Sequence, residues 1–419
     1  MTKKTLRSAV IASTPALLLA SGLAHAVEFQ AGNTTFSVEG YAKLDMIYDF
    51  DDRLGRFTFH DQIGADSSDS GHFRMQAGQS RIGFRSVTET DQGPLVLFAN
   101  MDFFDGDAAR TGSNSGGNPR LREVYGQWNG ITAGRTWTTF NTFVGTPEIL
   151  DFTNTVGQAG LDLQTQLRYT VGGFSIALEA PDDLVSSLNG SAIANAGGER
   201  SSTFGATNSS RLPDLTANYH GQAGPVDYAV GAMVRQLRVT SGTVTGFDGN
   251  QIAVENDSET GWGLFGAAAM EVAPGTTVRG ILTGGDGIGN YLYFQPAPAA
   301  YYDPNGEKIE TIEAFGGSAS ITQEIGPGRA TLAYAYAYAD NEDFYRDALV
   351  SNDDLFLAGH KFQSIFVNYL WEPIERVTYG IELGWHRVDR LRKFEDGERV
   401  ERSSNDDAYR LMTSLIYDF

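Results

Sequence analysis

From residue 36 onward the chain alternates apolar and polar residues in runs of seven to seventeen. In the first run Phe36, Val38, Ala42, Leu44, Met46 and Tyr48 share one parity, and Glu39, Lys43, Asp45 and Asp49 the other. A period of two is that of a strand with one apolar and one polar face. The last run carries the pattern to the final residue: Tyr409, Leu411, Thr413, Leu415, Tyr417 and Phe419 against Arg410, Met412, Ser414, Ile416 and Asp418. Chain ends usually fray, so an aromatic at the last position implies a terminus that is held.

Sixteen such runs occur: 36–50, 79–86, 95–105, 121–129, 131–137, 164–171, 174–180, 212–220, 226–239, 261–272, 276–284, 309–325, 329–340, 361–371, 376–387 and 408–419. Seven of the connections between them are short and rich in turn residues: 91–94, 129–130, 172–173, 221–225, 273–275, 326–328 and 371–373. Eight are long and polar: 51–71, 106–119, 138–162, 182–211, 240–259, 286–308, 341–359 and 388–407. Short and long alternate throughout. This is the loop rule of an outer-membrane barrel, and a soluble β-sandwich has no reason to obey it. The expectation is an all-β protein: a 16-stranded antiparallel transmembrane β-barrel, closed by pairing of its last strand with its first.

The outward rows fit that reading. Val377, Tyr379, Ile381, Leu383 and Trp385 form one, and Ile365, Val367, Tyr369 and Trp371 another, with aromatics towards the membrane interfaces. Tyr334, Tyr336 and Tyr338 alternate with Ala333, Ala335 and Ala337, and the pattern alone does not say which row is outside.

Composition narrows the class. Lys3, Lys4 and Arg7 precede an apolar stretch over 9–20, and Ala24-His25-Ala26 supplies small residues for cleavage. Residues 1–26 therefore read as a secretory signal and 27–419 as the barrel domain. No stretch is long and apolar enough for a transmembrane helix, and the mean hydropathy is −0.25. There are no cysteines, so an exported chain must rely on hydrogen bonding and packing. Net charge is −21, and −24 without Lys3, Lys4 and Arg7, which argues against nucleic acid as a partner. Outer-membrane lipid and lipopolysaccharide are the expected surroundings.

Sixteen strands enclose a wide lumen unless something fills it. The third long loop, 138–162, is the expected filler, folded inwards. Its Phe140, Phe143, Ile149, Leu150 and Phe152 are too apolar for an exposed loop. Thr146-Pro147-Glu148 reads as a helix start, with Thr146 as N-cap. Glu148 and Asp151 would then project into the channel as its constriction. Parity places Lys43, Arg81, Arg85, Arg168, Arg235, Arg279 and Arg376 on the pore wall, with Arg410 on the last strand. Rings of arginine or lysine select anions. The bland alternative is that they pair with Asp45, Asp102 and Glu382 and merely stiffen the wall.

Three segments carry a family resemblance: Gly40-Tyr-Ala-Lys-Leu-Asp-Met-Ile-Tyr-Asp49, Gln79-Ser-Arg-Ile-Gly-Phe84, and Leu121-Arg-Glu-Val-Tyr-Gly-Gln-Trp-Asn-Gly130 continuing to Phe140. In that order and spacing the chain resembles the DcaP-like porins, sharply over 40–140 and diffusely to 419. The resemblance implies a homotrimer of sixteen-stranded barrels passing small solutes, with dicarboxylic acids as the suggested class. It also implies that Phe419 is similar to the signal read by the barrel-assembly machinery. Family members can carry a helical segment before the barrel, whereas here the first strand starts soon after the expected cleavage site.

No catalytic constellation is visible. His25, His60, His72, His220, His360 and His386 show no metal-ligand spacing, and no cofactor is expected. Residues 284–289, Gly-Gly-Asp-Gly-Ile-Gly, do not match the dinucleotide fingerprint. Two other classes remain: a receptor or adhesin, supported only by the long acidic loops, and a barrel enzyme, which would need an exposed Ser–His pair.

Overall fold

The computed structural model describes residues 27–64, 70–104, 118–181, 210–245, 251–294, 296–303, 307–343, 359–390, 394–395, 398–399 and 404–419. The expected signal, 1–26, lies outside them, as do Asp347, Asp353 and Asp354 of the seventh long loop.

The alternating runs form one closed antiparallel barrel of sixteen strands. They are β1 (Thr34–Asp49), β2 (His72–Gln76 and Arg81–Thr88), β3 (Leu95–Asp102), β4 (Arg120–Trp128), β5 (Ile131–Trp137) and β6 (Leu163–Val171). Then come β7 (Phe174–Glu179), β8 (Asp214–Ala223), β9 (Val226–Val239), β10 (Asp257–Ala273) and β11 (Thr276–Asp286). The wall is completed by β12 (Glu313–Ile325), β13 (Gly328–Ala339), β14 (Gly359–Ile374), β15 (Val377–Arg390) and β16 (Ser404–Asp418). Each strand pairs with its sequence neighbour, and β16 returns to β1 in register from Tyr41↔Asp418 to Asp49↔Arg410. A closed sheet leaves no unpaired edge in lipid.

Two details go beyond the expected pattern. A short strand, Val27–Ala31, folds back on Thr34–Val38 and extends the sheet beyond the end of β16. Strand β2 is also broken: β1 pairs with Arg81–Thr88 over its first half and His72–Gln76 over its second.

The burial pattern is inverted relative to a soluble protein. Leu167, Leu264, Leu282, Phe315, Leu332 and Val367 are exposed, while Lys43, Asp45, Asp102, Glu123, Glu382 and Arg410 are buried. This is an apolar outer face around a polar interior. Ala333, Ala335 and Ala337 are buried and Tyr334 is 42% exposed, so the tyrosines face out and the alanines in.

Arg376 departs from expectation. It sits exposed in the tight turn before β15 with a φ of +67°, not on the wall. The two-residue connection after Ile374 consumes the position that period-2 counting assigned to a strand.

Candidate functional site

Three loop segments pack against buried side chains of the strands. Phe140 of the third long loop is fully buried against Phe265 of β10 and Tyr291 of the sixth loop. Ile149 packs with Ala333 and Phe366, and Leu150 with Ile47, Leu370 and Met412. Val156 lies among Ala335 and Ala337, so the inward alanines make room for this loop. Phe143 meets Trp137 edge-on, and Phe152 stacks on Phe104.

The loop's tip is held through its backbone. Glu382 of β15 accepts from Leu150 N (2.8 Å) and Asp151 N (3.0 Å), Lys43 donates to Leu150 O (3.0 Å), and Asn368 donates to Glu148 O (2.8 Å). These partners replace intrahelical bonds, and the expected helix at 146–150 is absent. Thr146 Oγ1 does not cap it, donating instead to Gln158 Oε1 (2.9 Å).

Glu148 keeps a 22% exposed carboxylate, clasped by Arg279 (2.7 Å) of β11 and by Arg329 of β13. Asp151 does not project into open space. It is buried, accepting from the Thr58 hydroxyl and from Thr153 N (2.8 Å), with Arg410 Nη1 at 3.8 Å.

The other expected wall residues divide into two groups. Lys43 is buried beside Asp45 at 3.3 Å and donates to Gln79; Arg235 is buried 3.5 Å from Asp214, over the Tyr291 ring. Burial pushes the Tyr291 phenol well up, so it stays a donor towards Glu179 and Asp214, each 3.1 Å away. Arg81, Arg85 and Arg168 are only partly buried. Arg81 lies over Tyr41, and Arg85 lies over Phe98 with Glu39 at 3.6 Å. Arg168 stands opposite Thr132 and Ala177. Arg410 is chelated by Asp49 at 2.6 and 3.0 Å and also donates to Gly55 O and Thr58 Oγ1.

Sequence reasoning missed the first and sixth loops. Residues 52–64 pack against strand and third-loop residues: Leu54 and Ile63 are buried with Val388 and Ala408, and Phe57 meets Phe104 and Phe152. The sixth loop crosses the third, with Gly157 N donating to Tyr293 O and Tyr293 N to Gln158 O. The signal was available, because Phe57, Phe59, Tyr291, Tyr293 and Phe294 break the polarity of their loops as Phe140 does.

Also missed was an arginine cluster around Asp102, which accepts from Arg120 (2.7 Å) and Arg122 (3.1 Å). Arg122 owes its inward aim to a β-bulge opposite Asn100–Met101, which puts Arg122 and Glu123 on the same side. Its guanidinium lies over Trp137 and Phe152, and that of Arg56 over Phe104. Four buried atoms of this cluster, Arg56 Nη1, Arg74 Nη1, Arg81 Nε and Arg122 Nε, make no hydrogen bond within the protein. Among the described residues, Arg56, Arg74, Arg81, Arg120, Arg122 and Arg410 form a chain of mutually interacting charges set against Asp45, Asp49, Asp102 and Asp151.

The family model for the DcaP outer membrane protein matches residues 24–258, more than half of the chain. The chain belongs to the DcaP outer membrane protein family. It is therefore a multi-pass β-barrel of the bacterial outer membrane, of the porin class. The outer membrane channel DcaP of Acinetobacter baumannii has the same fold, at TM-score 0.71 and 21% identity, over 93% of this chain and 99% of that one. OmpT of Vibrio cholerae matches at TM-score 0.53 and 11% identity over 94% and 100%. An anion-selective porin from Comamonas acidovorans matches at TM-score 0.53 and 12% identity over 92% and 100%. No curated protein matches the chain.

Proposed function

We propose that this barrel is a passive channel for small hydrophilic solutes that favours anions, small dicarboxylates among them. The carrying observation is the arginine cluster around Asp102, with four guanidinium nitrogens left without a protein acceptor. A buried donor without an acceptor is costly, and a passing carboxylate can accept from it in the bidentate manner guanidinium favours. The surplus acid of the chain bears little on this, because much of it lies in the long loops.

In this reading the third loop lies inside the lumen and sets its cross-section, with Glu148 as the acidic point of the constriction and Asp151 buried behind it. Arg81, Arg85, Arg168 and Arg279 line the path, while Lys43 and Arg235 hold loops in place. Assembly as a homotrimer is part of the same reading: a Vibrio cholerae OmpT of this fold has been solved in a trimer form. So are cleavage after Ala26 and recognition of Phe419 by the assembly machinery.

The test is purified protein in a planar bilayer under a salt gradient. A reversal potential of the sign given by anion flux is expected. Cation preference would remove the selectivity claim, and absence of any conductance would favour a receptor or adhesin barrel.

A further inference from the structure

Three side chains far apart in sequence meet in the interior and have no part in the anion path. His60 stands on the single 3-10 turn of the first loop (His60–Gln62), Ser364 on β14 and His386 on β15. All three are at most 2% exposed. His60 Nε2 lies 3.2 Å from Gln363 O and 2.9 Å from Ser364 Oγ, and Ser364 Oγ lies 2.9 Å from His386 Nδ1.

The acceptors dictate the protons. A carbonyl only accepts, so His60 Nε2 donates. The Ser364 hydroxyl then turns to His386 Nδ1, which accepts. Both imidazoles are thereby neutral, and their outer nitrogens, His60 Nδ1 and His386 Nε2, have no hydrogen-bond partner in the protein. A proton added to His386 Nδ1 turns it into a second donor to Ser364 Oγ and leaves the Ser364 hydroxyl proton without its acceptor. A proton added to His60 places a charge between the Phe362 ring, stacked at 4.9 Å, and the His386 ring at 5.5 Å. The charged groups facing the pair are Asp151 of the third loop, towards His60, and Arg410 of β16, towards His386; β14 supplies none.

We propose that residues 52–64 of the first long loop form a second gate of the lumen, latched in place by the His60–Ser364–His386 chain and released by acid. The inference rests on the reading of the lumen as a channel. The latch is coupled to the constriction, because Thr58, two residues before His60, donates its N–H to Thr153 Oγ1 (2.8 Å) and its hydroxyl to Asp151. Release of this loop uncovers one side of the third.

Burial lowers His60 from 6.5 to about 4, and release into water restores the ordinary value. Between those limits the released loop binds a proton that the docked loop does not. Docking is therefore fully favoured above 6.5 and weakens as pH falls towards 4. From His60 alone the docking equilibrium shifts about tenfold by pH 5.5 and roughly 80-fold by pH 4.5.

Single-channel recording at pH 7.5 and 5.0 tests the gate. The wild type is expected to conduct more, or to flicker to larger levels, at pH 5.0. His60→Phe keeps the stack on Phe362 without a titrating group. Lacking the latch hydrogen bonds, it should already conduct at pH 7.5 as the wild type does at pH 5.0, and show no further acid response. The chain has no cysteine, so Thr58→Cys with Thr153→Cys gives a clean lock: oxidation should abolish the acid response and reduction restore it. Persistence of the response in His60→Phe, or in the oxidised lock, overturns the proposal. A fluorophore on Thr58→Cys alone reports loop release without current. No conductance at pH 7.5 with an acid-dependent dye signal would sink the channel reading and keep the latch; a pH-independent dye signal would sink the latch.

Discussion

At the residue scale, the chemistry of the lumen turns on which arginines are already satisfied. Arg410 is saturated by Asp49, Gly55 O and Thr58, and a buried ion pair of this kind contributes chiefly by preventing an uncompensated charge. Arg410→Met strands Asp49 at 3% exposure and should destabilise the barrel by about 3–5 kcal/mol. The double variant with Asp49→Asn should recover most of that loss. The temperature at which the compact gel band disappears on heating would report both. The Asp102 cluster behaves differently, because one carboxylate serves two arginines. Asp102→Asn should strengthen anion preference, and Arg120→Gln with Arg122→Gln should pull the reversal potential towards zero. Equal reversal potentials in the two would mean the cluster does not see the permeating ion. Residue parity led to the expectation that Arg81, Arg85, Arg235 and Arg279 lie on the inner wall. It could not place Arg122, whose side is decided by a bulge, nor Arg376, whose strand begins one residue later than counting suggests.

At the element scale, the third loop shows how far loop reading can go. Its apolar residues announced that it must pack, and Phe140, Ile149 and Leu150 do. Its proline and threonine suggested a helix that did not form. The donors that helix would have used are taken by Glu382, more than 200 residues away, and no local signal announces such a partner. The aromatics of the first and sixth loops were a local signal that these loops pack, but their polar partners were hidden for the same reason: His60 finds Ser364 and Tyr291 finds Glu179 and Asp214 only once the barrel has closed. The seating of Leu150 also depends on Gly380, where an added Cβ would come within 2.8 Å of the Leu150 side chain. Gly380→Val should therefore unseat the tip from the wall side. Glu382→Ala should free it by removing the acceptor for two amides. Both variants are expected to raise single-channel conductance with the barrel intact, whereas an unchanged conductance in both would show that the tip does not set the aperture.

At the scale of the whole molecule, closure depends on a meeting of the two ends. Alternation carried to the last residue made this legible, since a frayed end has no use for an aromatic in register. Phe419 N donates to Gly40 O (3.0 Å), and Gly40 N donates back to Phe419 O (3.3 Å). Gly40 has no room for more: a Cβ there would sit 2.2 Å from Arg81 O and 2.9 Å from the Phe419 ring. Two separable contributions thus converge at the seam, a backbone pair and a ring. Deletion of Phe419 removes both, Phe419→Ala removes the ring alone, and Gly40→Ala pushes the ring and β2 away. If the seam acts through its hydrogen bonds, Phe419→Ala should assemble normally and the deletion poorly. If the ring is itself read during insertion, Phe419→Ala should accumulate as unassembled protein in cells, yet refold in detergent to the same compact band as the wild type. Gly40→Ala should impair refolding in both settings, because its clash is with the barrel itself.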